Sequence, residues 1–245
     1  MELNELILYL VLPTVAFLYA SVGHGGASSY LMVLALLNFA PEQIRPTALL
    51  MNMFVSLMAF ISFNKAIKFP TKLFLALILF SIPAAYLGGT ILVDTSIYKR
   101  ILGILLIFPV LKFLNIFPIK ESATIKETLW MAAVLGLVIG FFSGLIGIGG
   151  GIILSPILLM LGWTNVKETA AVSALFILLN SISGFLGAGG LSAEIDKQLW
   201  IVMPLTILGG ALGAYFGALK FQSKVVKYLL GVVLLIAAVK LIWTG

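Results

Sequence analysis

Apolar runs separated by short polar connectors set the pattern of this chain. They fall at about residues 5–38, 46–63, 70–93, 98–117, 128–162, 168–189, 198–219 and 225–244, with "PEQIRP", "NKAIKFPTK" and "KESATIKET" among the connectors. Six of these runs have the length of about 20 residues that one helical crossing of a bilayer needs. The first and fifth are too long for one crossing. Each is interrupted by glycine, "VGHGGASS" in the first and "GIGGGIILSP" in the fifth.

The two interruptions are 124 positions apart and align residue by residue, Gly23-His24-Gly25-Gly26-Ala27 against Gly147-Ile148-Gly149-Gly150-Gly151. The match continues in order downstream. "SLMAFISF" from Ser56 lies opposite "NSISGFLG" from Asn180, "SIPAAYLGG" from Ser81 opposite "TILGGALGA" from Thr206, and "KRILGILLI" from Lys99 opposite "KYLLGVVLL" from Lys227. The chain therefore reads as two homologous halves, 1–120 and 125–245, integrated in one membrane domain. The expected fold is an all-α polytopic membrane protein. Each half would hold a glycine-broken or re-entrant first segment and three further transmembrane helices.

Composition agrees with lipid as the solvent. Of 245 residues, 62% are hydrophobic and 10% charged, more apolar surface than a soluble domain of this size can bury. The net charge of +6 sits in the connectors, so it reads as an orientation signal rather than a nucleic-acid surface. If each long segment crosses once, Lys and Arg divide eight against seven between the two sides; if each turns back at its glycines, they divide ten against five. The acids Glu2, Glu5, Glu42, Asp94, Glu194 and Asp196 then gather on the Lys-poor side. The turned-back arrangement puts the ten-charge side in the cytoplasm and both termini outside. It gives each half an odd number of passes, which makes the halves an inverted repeat. "MELNELILYL" lacks a basic n-region and reads as an uncleaved first helix.

Cysteine is absent, there is one histidine, and no Walker-type phosphate loop is present, so the sequence implies no disulfide, no metal centre, no cofactor and no nucleotide site of its own. What it does offer is backbone. Glycine suits the tip of a chain reversal at membrane depth, and the helix that follows opens with N–H groups lacking intrahelical acceptors. With the helix dipole these groups favour an anion. The candidate substrate-binding residues are Gly23, His24, Gly25, Gly26 and Ala27, with Ser28 and Ser29 as hydroxyl donors. In the second half they are Ser143, Gly147, Gly149, Gly150 and Gly151. Asn52, Ser56, Ser173 and Asn180 are polar groups within membrane segments and are expected to face the bundle interior.

His24 has two readings: it carries a proton with the substrate or donates to it, or it is a polar side chain at a water-exposed loop end. Its counterpart is Ile148, so the repeat does not require an imidazole. Arg45 and Lys167, at the ends of the return arms, read as snorkelled interfacial charges. The glycines of "YLGGTI" and "GGALGAYFGA" read as close helix packing. No acid lies well inside a membrane segment, which argues against a carboxylate-lined cation pathway.

"YASVGHGGASSYL", its equivalent "FFSGLIGIGGGIILSPIL" and the duplicated eight-segment plan resemble the sulfite exporter TauE/SafE family over nearly the whole chain. The resemblance implies a multi-pass permease of a prokaryotic cytoplasmic (inner) membrane for a small, often sulfur-containing anion such as sulfite, a sulfonate or thiosulfate. The family's motif glycines fall on Gly23, Gly25 and Gly26, and on Gly147, Gly149, Gly150 and Gly151. His24 stands where an apolar residue is more usual. The expected partners are a small anionic substrate and the bilayer, with no nucleic acid; a homo-oligomer is compatible with the sequence. A passive anion channel and a permease for a non-sulfur organic anion are the alternatives. A membrane enzyme would need converging nucleophiles, bases or metal ligands that one histidine without cysteine does not supply.

Overall fold

The structure is a computed structural model that describes residues 3–37, 39, 41–91, 128–192, 195–222, 224–226, 228–229 and 232. The apolar segment expected at 98–117 and most of the one at 225–244 lie outside the described residues. The described residues form α1 (Leu3–Ala20), α2 (Ala27–Leu36), α3 (Pro41–Asn64), α4 (Thr71–Thr90), α5 (Leu129–Ile146), α6 (Gly151–Leu161), α7 (Val166–Gly187) and α8 (Lys197–Tyr215). A 3-10 turn at Gly190–Ser192 follows α7, and a π-helical turn at Phe216–Lys220 continues α8. No strand occurs among the described residues.

Among the described residues, five stretches are helical, long and apolar enough to cross a membrane: Gln43–Asn64, Thr71–Thr90, Leu129–Ile146, Val166–Gly187 and Lys197–Lys220. The protein is therefore a multi-pass helical membrane protein. Each overlong apolar segment resolves into a longer helix, a glycine turn and a short helix. With 10 and 11 residues, α2 and α6 rise only about 15–17 Å, roughly half a hydrocarbon core.

Packing crosses the boundary between the halves. α4 lies along α5, α8 lies along α1, and α3 packs on α7 between them. One apolar core joins α1, α2, α3 and α8 through Leu12, Leu34, Met51, Val55, Val202 and Met203. The other joins α4, α5, α6 and α7 through Leu73, Leu77, Ile139, Leu154, Leu158 and Phe176. Each core thus combines the first three helices of one half with the fourth of the other.

Small residues make this exchange close-fitting. Gly136, Gly140 and Gly144 of α5 lie against the backbone of Leu77, Ser81 and Ala85 on α4, where any side chain would meet a carbonyl. Gly209, Gly213 and Gly217 lie the same way against Pro13, Phe17 and Ser21 of α1 or its end. In a bilayer, where apolar side chains gain little by leaving lipid, such backbone approach is a main source of helix association. The packing role expected for "YLGGTI" and "GGALGAYFGA" is what Gly88, Gly89, Gly209, Gly210, Gly213 and Gly217 perform. Large exposed apolar side chains such as Leu79 and Leu87 on α4, Trp130 on α5 and Leu208 on α8 form the lipid-facing surface.

Candidate functional site

Both glycine turns use left-handed backbone. φ is +82° at Gly23 and +95° at Gly26 in the first turn, and +85°, +75° and +78° at Gly147, Gly149 and Gly150 in the second. Gly150 is the residue before α6 and its left-handed conformation opens that helix, whose first bonds run from Ile153 and Leu154 N–H to Gly150 O. In α2 the matching bonds run from Ser29 and Tyr30 N–H to Gly26 O. Residues with a Cβ adopt these angles only with strain, so the glycines are set by geometry as well as by space.

One side chain joins the two turns. Asn52, fully buried on α3, accepts from Ala27 N–H at the start of α2 (3.3 Å). Its amide nitrogen donates to Ile148 O in the second turn (3.4 Å) and to Ser181 Oγ on α7 (2.9 Å). A Cβ on Gly25 would run into Asn52 Oδ1, and one on Gly149 would lie 2.5 Å from its Nδ2. Neither glycine tolerates a side chain because both turns close on the same amide.

His24 makes the second link. Its Nε2 lies 3.0 Å from Gly151 O and 2.8 Å from Ser155 Oγ, both on α6. A carbonyl only accepts, so Nε2 carries the hydrogen and shares it between the two. Ser155 Oγ continues to Ser173 Oγ on α7 at 2.7 Å. The ring is 1% exposed, which rules out the water-exposed loop end considered above. Nδ1 is buried and has no hydrogen-bond partner among the described residues.

The N-terminus of α2 carries a hydroxyl cluster. Ser29 Oγ donates to Tyr19 OH (2.9 Å), and Tyr19 OH and Ser28 Oγ lie 3.1 Å apart. Tyr30 OH donates to Gly25 O at 2.6 Å and holds the turn from below. Beside α6 the matching group is Ser143, whose hydroxyl is fully buried without a partner among the described residues and whose Cβ lies against Gly150.

Of the residues expected at the site, the structure thus gathers Gly23 to Ser29, Asn52, Ser143, Gly147, Gly149 to Gly151 and Ser173. The other two bond elsewhere. Asn180 accepts from Ser81 Oγ on α4 and donates to Phe176 O, and Ser56 donates to Met53 O within its own helix. Tyr19 and Tyr30 were not anticipated. A usable signal existed for Tyr19, which occupies the position equivalent to Ser143 at the same 124-residue spacing. Arg45 and Lys167 are half-buried rather than simply snorkelled. Arg45 donates to Gly88, Gly89 and Ile91 at the end of α4 and to Gly144 on α5, and Lys167 donates to Ala218 O at the end of α8. Both place a cation on helix C-terminal carbonyls, where the dipole favours it.

Long apolar helices surrounding two broken half-length ones, with polar groups held at the breaks, define a membrane transporter class rather than a soluble domain. Residues 8–241 match the sulfite exporter TauE/SafE family, and the chain belongs to it. It is 32% identical over 236 residues to the probable membrane transporter protein y4hK of Sinorhizobium fredii, covering 94% of both chains. Shorter matches join it to a probable membrane transporter protein of Methanocaldococcus jannaschii (35% identity, 43% of this chain and 40% of the relative) and to YunE of Bacillus subtilis, also a probable membrane transporter protein (30%, 45% and 40%). No solved structure matches the chain. The family and its relatives are transporters, which sets this chain apart from the membrane enzymes.

Proposed function

We propose that the chain is a secondary transporter for a small anion, a sulfur-containing oxyanion or organosulfonate, bound between the N-termini of α2 and α6. The observation that carries this reading is the pair of side chains, Asn52 and His24, that tie both glycine turns into one buried locus. Two helix N-termini held together in low dielectric favour negative charge. The hydroxyls of Tyr19, Ser28, Ser29 and Ser143 are the donors that would meet an oxyanion there. The family's name, a sulfite exporter, supports sulfur as the central atom.

The closed state of the site favours a carrier over a channel. His24, Ser28, Ser29, Asn52, Ser143 and Ser173 are each no more than 5% exposed, so no continuous pore passes them in this conformation. Alternating access would proceed by the two interlocked cores rocking on the α3–α7 contact. The exchange of α4 and α8 between halves supports an inverted repeat, with the cytoplasmic face rich in lysine and both termini outside. His24, whose Nδ1 has no partner among the described residues, is the group we assign to proton coupling.

Reconstitution into liposomes with labelled sulfite, thiosulfate, a sulfonate and a carboxylate tests the reading. Accumulation of at least one sulfur anion is the expected result. No anion uptake, with uptake of a metal cation instead, overturns it. The orientation has its own test: K68C and K224C should label from the same side of the membrane, and labelling from opposite sides rejects the inverted arrangement.

A further inference from the structure

The charge available at the turns is small, and it can be counted. Each helix N-terminus acts as roughly half an elementary positive charge, so α2 and α6 together supply about one. Among the described residues the side chains around them are neutral: hydroxyls from Tyr19, Ser28, Ser29, Ser143, Ser155 and Ser173, and the amide of Asn52.

The one guanidinium among the described residues, that of Arg45, is turned elsewhere. The stem of Arg45 runs beside the second turn, its Cγ 2.9 Å from where a Cβ on Gly147 would be, yet the guanidinium goes to the carbonyls of Gly88, Gly89, Ile91 and Gly144. The amino group of Lys167 is on Ala218 O. In its neutral form, before a coupled proton arrives at Nδ1, His24 adds no charge; its Nε2 hydrogen is already used on α6, and no carboxylate among the described residues bonds the ring. Tyr19, whose ring meets the imidazole at 6.4 Å, and Tyr30 are the titratable side chains packed with it at the turns.

We infer that the site takes a singly charged oxyanion and rejects a doubly charged one of the same shape. This rests on the anion reading above and names the charge state within it. The buried hydroxyl of Ser143, without a partner among the described residues and beside the residue that opens α6, is the independent mark of a ligand position: it adds a donor without adding charge. A second negative charge would enter a buried site with no cation among the described residues set opposite it. Such an uncompensated buried charge costs several kcal/mol.

Methanesulfonate and sulfate are tetrahedral anions of similar size that keep one and two negative charges around neutrality, so they isolate the variable. The full chain is reconstituted into liposomes, the membrane potential is clamped, and initial uptake of each labelled anion is compared at equal concentration. Methanesulfonate should enter at least about 100-fold faster than sulfate, the ratio that an uncompensated charge of this kind implies. Sulfate entering as fast or faster overturns the charge rule and leaves the anion reading standing. If sulfite alone is carried, its rate should rise on mild acidification in step with hydrogen sulfite, and a rate following the dianion overturns the rule. Uptake of none of the three overturns the underlying anion reading.

Discussion

The two glycine turns share a backbone and differ in their side chains. Both reverse the chain with left-handed glycines, both open a half-length helix, and both close on Asn52. Around the first stand Tyr19, His24, Ser28 and Ser29; at the same positions around the second stand Ser143, Ile148, Ile152 and Ile153. The difference teaches a division of labour. Backbone geometry, which both halves need, is kept in both copies. Polar side chains are concentrated at the first turn, and His24 reaches across to Gly151 and Ser155 beside the second.

The sharpest way to break this comparison is to cut the link between the turns. N52L removes the acceptor of Ala27 N–H and the donors to Ile148 O and Ser181, and transport should fall by more than about 100-fold, the scale set by ångström-level misplacement. A melting curve should also show a loss of about 1–3 kcal/mol for each buried group left unpaired. If N52L transports normally, the two turns do not work as a unit.

Next come the shared glycines. G26A and G150A each force a Cβ onto a left-handed backbone and into an aromatic neighbour, Tyr30 for the first and Phe176 for the second. Each should cost roughly 1–3 kcal/mol of stability and about tenfold or more in transport. The two losses should match within a few-fold. A large effect at one turn and none at the other would deny their equivalence.

H24I then makes the first turn resemble the second. Folding should survive, since Ile148 occupies the equivalent place, while uptake drops by about tenfold, as for loss of a single buried donor. Unchanged uptake would remove His24 from the mechanism. The smallest expected effect is from S143A. With no described partner to lose, its unfolding free energy should stay within about 0.5 kcal/mol of the parent's, and uptake should fall several-fold because the proposed ligand donor is gone. A destabilised S143A with unaltered transport would make Ser143 a structural residue.

The glycine turns were legible in the sequence because length and composition conflict there: an apolar run too long for one crossing must break, and only glycine-rich stretches could hold the break. Their equivalence was legible from the constant spacing. The polar residues around them could be named but not paired. Asn52 and Ser181 lie 129 positions apart, and His24 and Ser155 lie 131 apart; no local pattern relates such partners. Asn180 shows the reverse difficulty, since an amide in a membrane helix faces the interior whether it lines a pathway or, as here, bonds Ser81 on a neighbouring helix. Tyr19 and Tyr30 escaped because tyrosine in an apolar run reads as bulk until its hydroxyl is seen to have partners. Arg45 was read from its place near the membrane edge, whereas four carbonyls on two helices determine where it goes.

The exchange of fourth helices has a consequence for the order of synthesis. α1, α2 and α3 leave the ribosome first, but the groove along α1 that receives Gly209, Gly213 and Gly217 stays unfilled until α8 is made. The α4–α7 part of the second cluster can assemble before α8 is made, with Val226 and its neighbours Phe221 and Leu229 added afterwards. Assembly therefore does not follow the reading direction: the first core waits for α8 while most of the second is already in place. A chain halted after α7 would hold one nearly complete bundle and one left open along α1.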